Sequence, residues 1–251
     1  MEHLVFGTLA SRLPRIGGMA TMPSRFDSCC NALLRLLPQL DRLYLYLDKH
    51  EAIPAAFTGD PRLVPLLPAP GERPLGDGGK FLGLHAFGAP CLYFSCDDDI
   101  IYRPGYVAHM AAGLRRHGYR ALVAAHGGVF HRPNASYRQD RLQLTFADAQ
   151  HLDCLVDEVG TGTMAMHSGV LPLDPRRWAE TNMADLNVML EALRAGVPRF
   201  TLRKPADLLR PLDGLQPDSL HRQLLADETV QNRLLQAALH LFPEPWHWAG
   251  G

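Results

Sequence analysis

The chain has 251 residues, 47% of them hydrophobic, enough for one domain with a sizeable buried core. Its 25 Lys and Arg nearly balance 26 Asp and Glu, a net charge of −1 that gives no global electrostatic case for nucleic acid or an acidic membrane surface. The five cysteines have neither zinc spacing nor a disulfide framework, so reduced thiols and a cytoplasmic protein are expected.

The N-terminal stretch MEHLVFGTLASRL carries Glu2 and no basic leading region, so it does not predict a signal peptide. No run reaches the roughly 20 apolar residues of a membrane span, although peripheral membrane association stays open. Residues 15–21 (RIGGMAT) read as a first strand, and PSRFDS after it as a turn into a helix over 28–37. Pro23 suits that turn, and Ser24 or Asp27 could cap the helix. LYLYLD (43–48) is a second strand ending on Asp48. Residues 60–79 are rich in Pro and Gly and predict a strand fragment at 63–67, then a long loop; a short helix follows over 80–87.

CLYFSC (91–96) is the best-defined buried strand. A helix over 104–117, with Pro104 near its start, and a strand over 121–126 come next. Residues 127–153 are polar and irregular, and 159–168 read as a strand interrupted by glycines. A helix over 183–196 stops at Gly196, and the strand 198–203 follows. From 205 the chain is rich in Pro and Leu, then helical from about 218 to 241. Strands alternating with helices predict an α/β sandwich with a mostly parallel sheet, whose ligands bind beyond the carboxyl ends of the strands. A single domain over 1–251 is expected, with a core at 15–205 and a helical extension at 206–251.

The chemistry concentrates where CLYFSC delivers Asp97, Asp98 and Asp99. Three adjacent carboxylates at the tip of a buried strand are costly unless a cation sits among them, and a dication held together with substrate phosphates is the usual answer. Strand alternation would put Asp97 and Asp99 on one side and Asp98 on the other. A solvated acidic turn or helix cap would have the same sequence. Lys80 follows the glycine-rich GDGG (76–79), whose amides could approach a phosphate; Asp77 in that loop could face a nucleobase or ribose. An ordinary surface loop reads the same way, and the spacing is not that of a Walker A loop. His126 and His167 lie near strand ends, where a buried structural histidine is the simpler reading. Trp246 and Trp248 suit packing of a C-terminal tail.

Taken in order, ATMPSR (20–25), GDGGK (76–80), FSCDDDIIY (94–102), AAHG (124–127), GTGT (160–163) and NMADL (182–186) resemble a GT-A glycosyltransferase of the bacterial polysaccharide type related to family 2. The resemblance covers residues 15–205 and implies a Rossmann-like GT-A three-layer sandwich. It implies that Asp97 and Asp99, joined by a late histidine for which His221 is a candidate, hold Mn²⁺ or Mg²⁺ on the donor diphosphate. Thr21, Pro23, Ser24, Arg25, Asp48, Asp77, Lys80 and Asp98 would bind the donor, a nucleotide sugar and by preference a UDP-sugar. Gly160, Thr161, Gly162 and Thr163 would line the place of a glycan or glycoconjugate acceptor. Asp185, at a predicted helix start, would be the base that deprotonates the acceptor hydroxyl, giving inversion; a helix-capping aspartate is the plainer reading of the same position. The family's Glu-Asp pair is here Ala184-Asp185, reduced to one carboxylate. A sugar-phosphate nucleotidyltransferase and a non-catalytic metal- or glycan-binding domain are the alternatives.

Overall fold

The structure, a computed structural model, describes residues 12–131, 136–212 and 227–242. It opens with β1 (Arg15–Thr21), α1 (Phe26–Leu36), β2 (Arg42–Leu47), β3 (Leu63–Leu66), α2 (Leu82–Phe87) and β4 (Leu92–Cys96). After β4 come β5 (Ile100–Tyr102), α3 (Tyr106–Arg116), β6 (Leu122–Ala124), β7 (Gly127–Phe130) and β8 (Arg141–Leu144). The chain continues through β9 (Cys154–Leu155), β10 (Glu158–Val159), β11 (Thr163–His167), α4 (Ala184–Arg194), β12 (Arg199–Thr201), β13 (Leu209–Pro211) and α5 (Thr229–Ala238).

Eight strands form one sheet in the order β3-β2-β1-β4-β11-β6-β12-β9, in which β11 and β9 run against the other six. Side chains alternate across it, as strand geometry requires. Leu43, Leu45, Leu47, Phe94 and Cys96 pack with α1 and α3 on one face. Tyr44, Tyr93, Met164 and Met166 pack with α4 and the edge of α2 on the other. Burial on both faces explains the near-continuous apolar runs of β2 and β4. The result is the three-layer α/β sandwich with a mostly parallel sheet that the alternation predicts.

Register places the site. Thr21 pairs with Leu47 and Met19 with Cys96, so β1, β2 and β4 end side by side and release Thr21, Asp48 and Asp97 at one edge. Because β11 is antiparallel to β4 and starts with Thr163 opposite Cys96, the 160–162 turn lies against the same edge.

Several elements depart from the sequence expectation, among them β5 and β13, which pair as a small separate sheet. Residues 127–153 hold β7 and β8, which join β10 in a separate antiparallel sheet. Two glycines in β7 and an exposed Leu142 in β8 hide the usual alternation. The 76–80 loop is a 3-10 helix, Gly76–Phe81, that leads directly into α2. The late helix is described from Thr229, and its expected first turns fall outside the described residues. Among the described residues no helix is long and apolar enough to cross a membrane.

Candidate functional site

The strand β4 ends at Cys96, so the three aspartates sit in a turn and leave strand alternation behind. Each finds its own partner. Asp97 Oδ1 pairs with the Lys80 ammonium. Asp98, almost fully buried, accepts from Thr21 Oγ1 at 2.7 Å and from Arg25 at 3.0 Å. Among the described residues the Asp99 carboxylate, one-third exposed, has a single long contact, to Arg25 at 3.4 Å. Burial opposes ionisation of Asp97, but Lys80 outweighs it and holds that carboxyl below its ordinary value. Burial and the charges of Asp97 and Asp98 push Asp99 up to about 6. Asp98 is also raised by burial, which Arg25 offsets only in part.

Lys80 is buried because glycines let its helical turn lie flat on the sheet. A Cβ on Gly18 in β1 would collide with the Lys80 carbonyl and the Tyr93 hydroxyl, and one on Gly79 would enter the Tyr46 ring. Tyr93 Oη donates to the Lys80 carbonyl at 2.5 Å, locking the backbone. The loop amides are spent internally: Asp77 N donates to Asn182 Oδ1 and Gly78 N to the Leu75 carbonyl. Burial disfavours the Lys80 charge, yet the Asp97 and Asp77 carboxylates hold its pKa above the ordinary lysine value.

Asp185 lies in the first turn of α4, where a carboxylate is favoured by the helix dipole. Its Oδ1 accepts from Thr161 Oγ1 at 2.6 Å and from Thr161 N at 2.8 Å. Lys80 Nζ donates to the same Thr161 hydroxyl at 3.3 Å. An unbroken polar chain therefore runs from Asp97 through Lys80 and Thr161 to Asp185. Ser95 Oγ fixes the Thr161 carbonyl at 2.6 Å. Tyr102 Oη accepts from Asp97 N at 2.7 Å and donates to the Gly162 carbonyl at 2.6 Å, tying the aspartate turn to the 160–162 turn.

These groups open into one cavity of about 910 Å³. Of the sequence-expected residues it brings together Thr21, Arg25, Asp48, Asp77, Lys80, Asp97, Asp98, Asp99, Thr161 and Asp185. Pro23 and Ser24 are exposed and stand outside its lining. So do Gly160, Gly162 and Thr163, which serve as supports: the two glycines lie against His126 and Asp97, and Thr163 Oγ1 accepts from Ala125 N at 3.1 Å. His221, Trp246 and Trp248 fall outside the described residues. Asp48 Oδ1 and Asp77 Oδ1 are buried without a hydrogen-bond partner among the described residues, while Asp77 Oδ2 accepts from Ala184 N at 3.1 Å. Burial raises Asp48 and pushes Asp77 up to about 6.

Sequence reasoning missed the opposite wall. Tyr137, Arg138, Arg141, Gln143, Thr145 and Phe146 line it, and α5 adds Val230 and Gln231. Tyr137 Oη donates to the buried Glu158 at 2.8 Å, and Arg141 pairs with the same carboxylate at 2.5 Å. His126 also lines the cavity, its Nδ1 held by Thr163 Oγ1 at 2.8 Å. Burial lowers its pKa, opposed in part by the Asp185 and Asp97 carboxylates.

Among the described residues no group of three or more His, Cys, Asp or Glu side chains is arranged to hold a metal ion. The donor set nonetheless suits a hard divalent cation. Seven aspartates line the cavity (48, 77, 97, 98, 99, 185 and 227) against Arg25, Lys80, Arg138 and Arg141. This leaves surplus carboxylate oxygen for an ion that takes its other ligands from phosphate and water.

No protein-family model matches the sequence, and no curated protein does. Among solved structures the chain is similar to GalNAc-T7 with UDP, GalNAc and Mn²⁺. The identity is 11%, over 90% of this chain and 48% of that one, with a TM-score of 0.56. The chain thus spans about half the length of that protein. It is also similar to a CMP:2-keto-3-deoxy-manno-octonic acid synthetase complexed with CTP, at 10% identity over 91% of this chain and 100% of that one, with a TM-score of 0.47. The likeness to the first is one of fold: the chain has the Rossmann-like GT-A fold.

Proposed function

We propose that the protein is a metal-dependent glycosyltransferase that moves a sugar from a nucleoside-diphosphate donor to a hydroxyl of a glycan or glycoconjugate. The observation that carries this reading is the pairing, in one cavity, of a carboxylate-rich turn at Asp97–Asp99 with a separately held carboxylate, Asp185. The first suits a cation and a diphosphate, the second a base. A Mn²⁺ or Mg²⁺ ion on Asp97 and Asp99 would supply Lewis-acid neutralisation of the departing diphosphate. Arg25 adds a fixed positive charge beside it, and the buried Asp48 oxygen is an acceptor for the hydroxyls or ring N–H of a nucleoside.

Asp185 accepts the proton of the acceptor hydroxyl as that oxygen attacks the anomeric carbon. Its Oδ1 is already saturated by Thr161, which leaves Oδ2 to receive the proton and fixes where the carboxylate points. A single displacement of this kind inverts the anomeric centre. The wall of Tyr137, Gln143, Thr145 and Phe146 offers the aromatic faces and hydrogen-bonding groups that suit a sugar acceptor.

The test is a thermal-shift series of nucleoside diphosphates and nucleotide sugars with and without Mn²⁺. A donor at 100 times its Kd should raise Tm by about 5–10 °C, and only with the metal present. Asp99→Asn should abolish that shift, whereas Asp185→Asn should keep it and lose sugar transfer by about 10²–10⁴-fold. A panel in which no nucleotide moves Tm overturns the assignment.

A further inference from the structure

We propose that Lys80 is a resident counter-cation of Asp97 which an incoming divalent cation displaces, so that this lysine sets the cation affinity of the site. The inference rests on the reading of Asp97 and Asp99 as cation ligands. A phosphate-binding lysine presents its ammonium to the cavity with its donors free. Here the side chain is 3% exposed, and its ammonium is already engaged by Asp97 Oδ1 and Thr161 Oγ1. Its backbone cannot follow a ligand, because Tyr93 holds the Lys80 carbonyl and Gly18 lies directly beneath it.

On this proposal Asp77 is the ammonium's second partner. Asp77 Oδ1 is buried and has no hydrogen-bond partner among the described residues, and its carboxylate already acts on Lys80 through space. When Asp97 turns to a divalent cation, the lysine exchanges one aspartate for the other and its charge stays paired. The exchange also avoids leaving a buried ammonium without a counter-charge. Lys80 thereby neutralises the carboxylate turn while no ion is bound and competes with any ion that arrives.

Calorimetric titration of Mn²⁺ alone into wild type, Lys80→Gln and Lys80→Arg tests this directly. Removing a unit charge beside Asp97 should tighten Mn²⁺ binding in Lys80→Gln by at least about tenfold, and Lys80→Arg should stay near wild type. Equal or weaker binding in Lys80→Gln overturns the proposal. Should that variant fail to fold, wild type labelled with ¹⁵N-lysine gives the answer, since the only lysines are 49, 80 and 204. The Lys80 Nζ resonance should then move during a Mg²⁺ titration, and a resonance unmoved at high Mg²⁺ overturns the exchange. The outcomes separate the two readings. Tighter Mn²⁺ binding in Lys80→Gln without any nucleotide-dependent shift in Tm keeps the lysine exchange and sinks the transferase. Mn²⁺-dependent nucleotide binding with no gain in Lys80→Gln does the reverse.

Discussion

Thr161 meets both Lys80 and Asp185 with a single hydroxyl, so that oxygen is the narrowest point of the site. Thr161→Val keeps the backbone donor to Asp185 and removes the hydroxyl; transfer should fall about ten- to a hundredfold with donor affinity retained, and Thr161→Ser should restore most of it. Steady-state kinetics at saturating donor decide this. Asp77 poses the opposite problem, a carboxylate raised from 3.8 to about 6 by burial. Because its folded value lies above its unfolded one, its contribution to stability is full below pH 3.8 and is lost as pH rises through about 6. Asp77→Asn should therefore stabilise the fold at pH 8, by up to about 3 kcal/mol from a shift of about two units. That gain should fade toward pH 4, as urea denaturation at the two pH values would register.

At the scale of elements, the far wall depends on α5. Glu228, just before that helix, accepts from Ser136 Oγ at 2.8 Å and Arg138 N at 2.9 Å, and Asn232 accepts from Tyr137 N at 2.6 Å. Two side chains thus hold the turn that presents Tyr137 and Arg138 to the cavity. Asn232→Ala should cost about 1 kcal/mol of stability. It should also raise the KM for acceptor several-fold while leaving the donor Kd unchanged, a split that kinetics and calorimetry would reveal. This wall was illegible in the sequence. Nothing in SYRQDRLQLTF announces that Arg141 pairs with Glu158, a partner that folding brings from β10 to β8 across β7. By contrast β1, β2 and β4 were legible, because burial on both faces writes itself as an apolar run, and their shared direction places Thr21, Asp48 and Asp97 together. The 76–80 segment reads two ways for a physical reason: its glycines pack closely against Asn182, Trp178 and Tyr46, a use the sequence cannot distinguish from phosphate cradling.

For the whole molecule, the decisive arrangement is the antiparallel β11 inserted beside β4 in a largely parallel sheet. It turns the chain back so that the aspartate turn and the turn holding Asp185 meet at one edge. The Tyr102 hydroxyl then spans them, and the ring is fully buried. Tyr102→Phe strands the Asp97 amide and the Gly162 carbonyl, each worth about 1–3 kcal/mol. We expect Tm to drop by about 2–4 °C for each kcal/mol lost, a change that scanning calorimetry resolves.

That phenol also determines how the protein can respond to a ligand. With one oxygen pinning both turns, the floor of the cavity behaves as a single plate that cannot part the Asp97 turn from the 160–162 turn that holds Asp185. What freedom the cavity has then lies with the opposite wall, where the start of α5 stands. If the protein transfers sugar as proposed, its cation side and its base side keep their spacing while a substrate is bound.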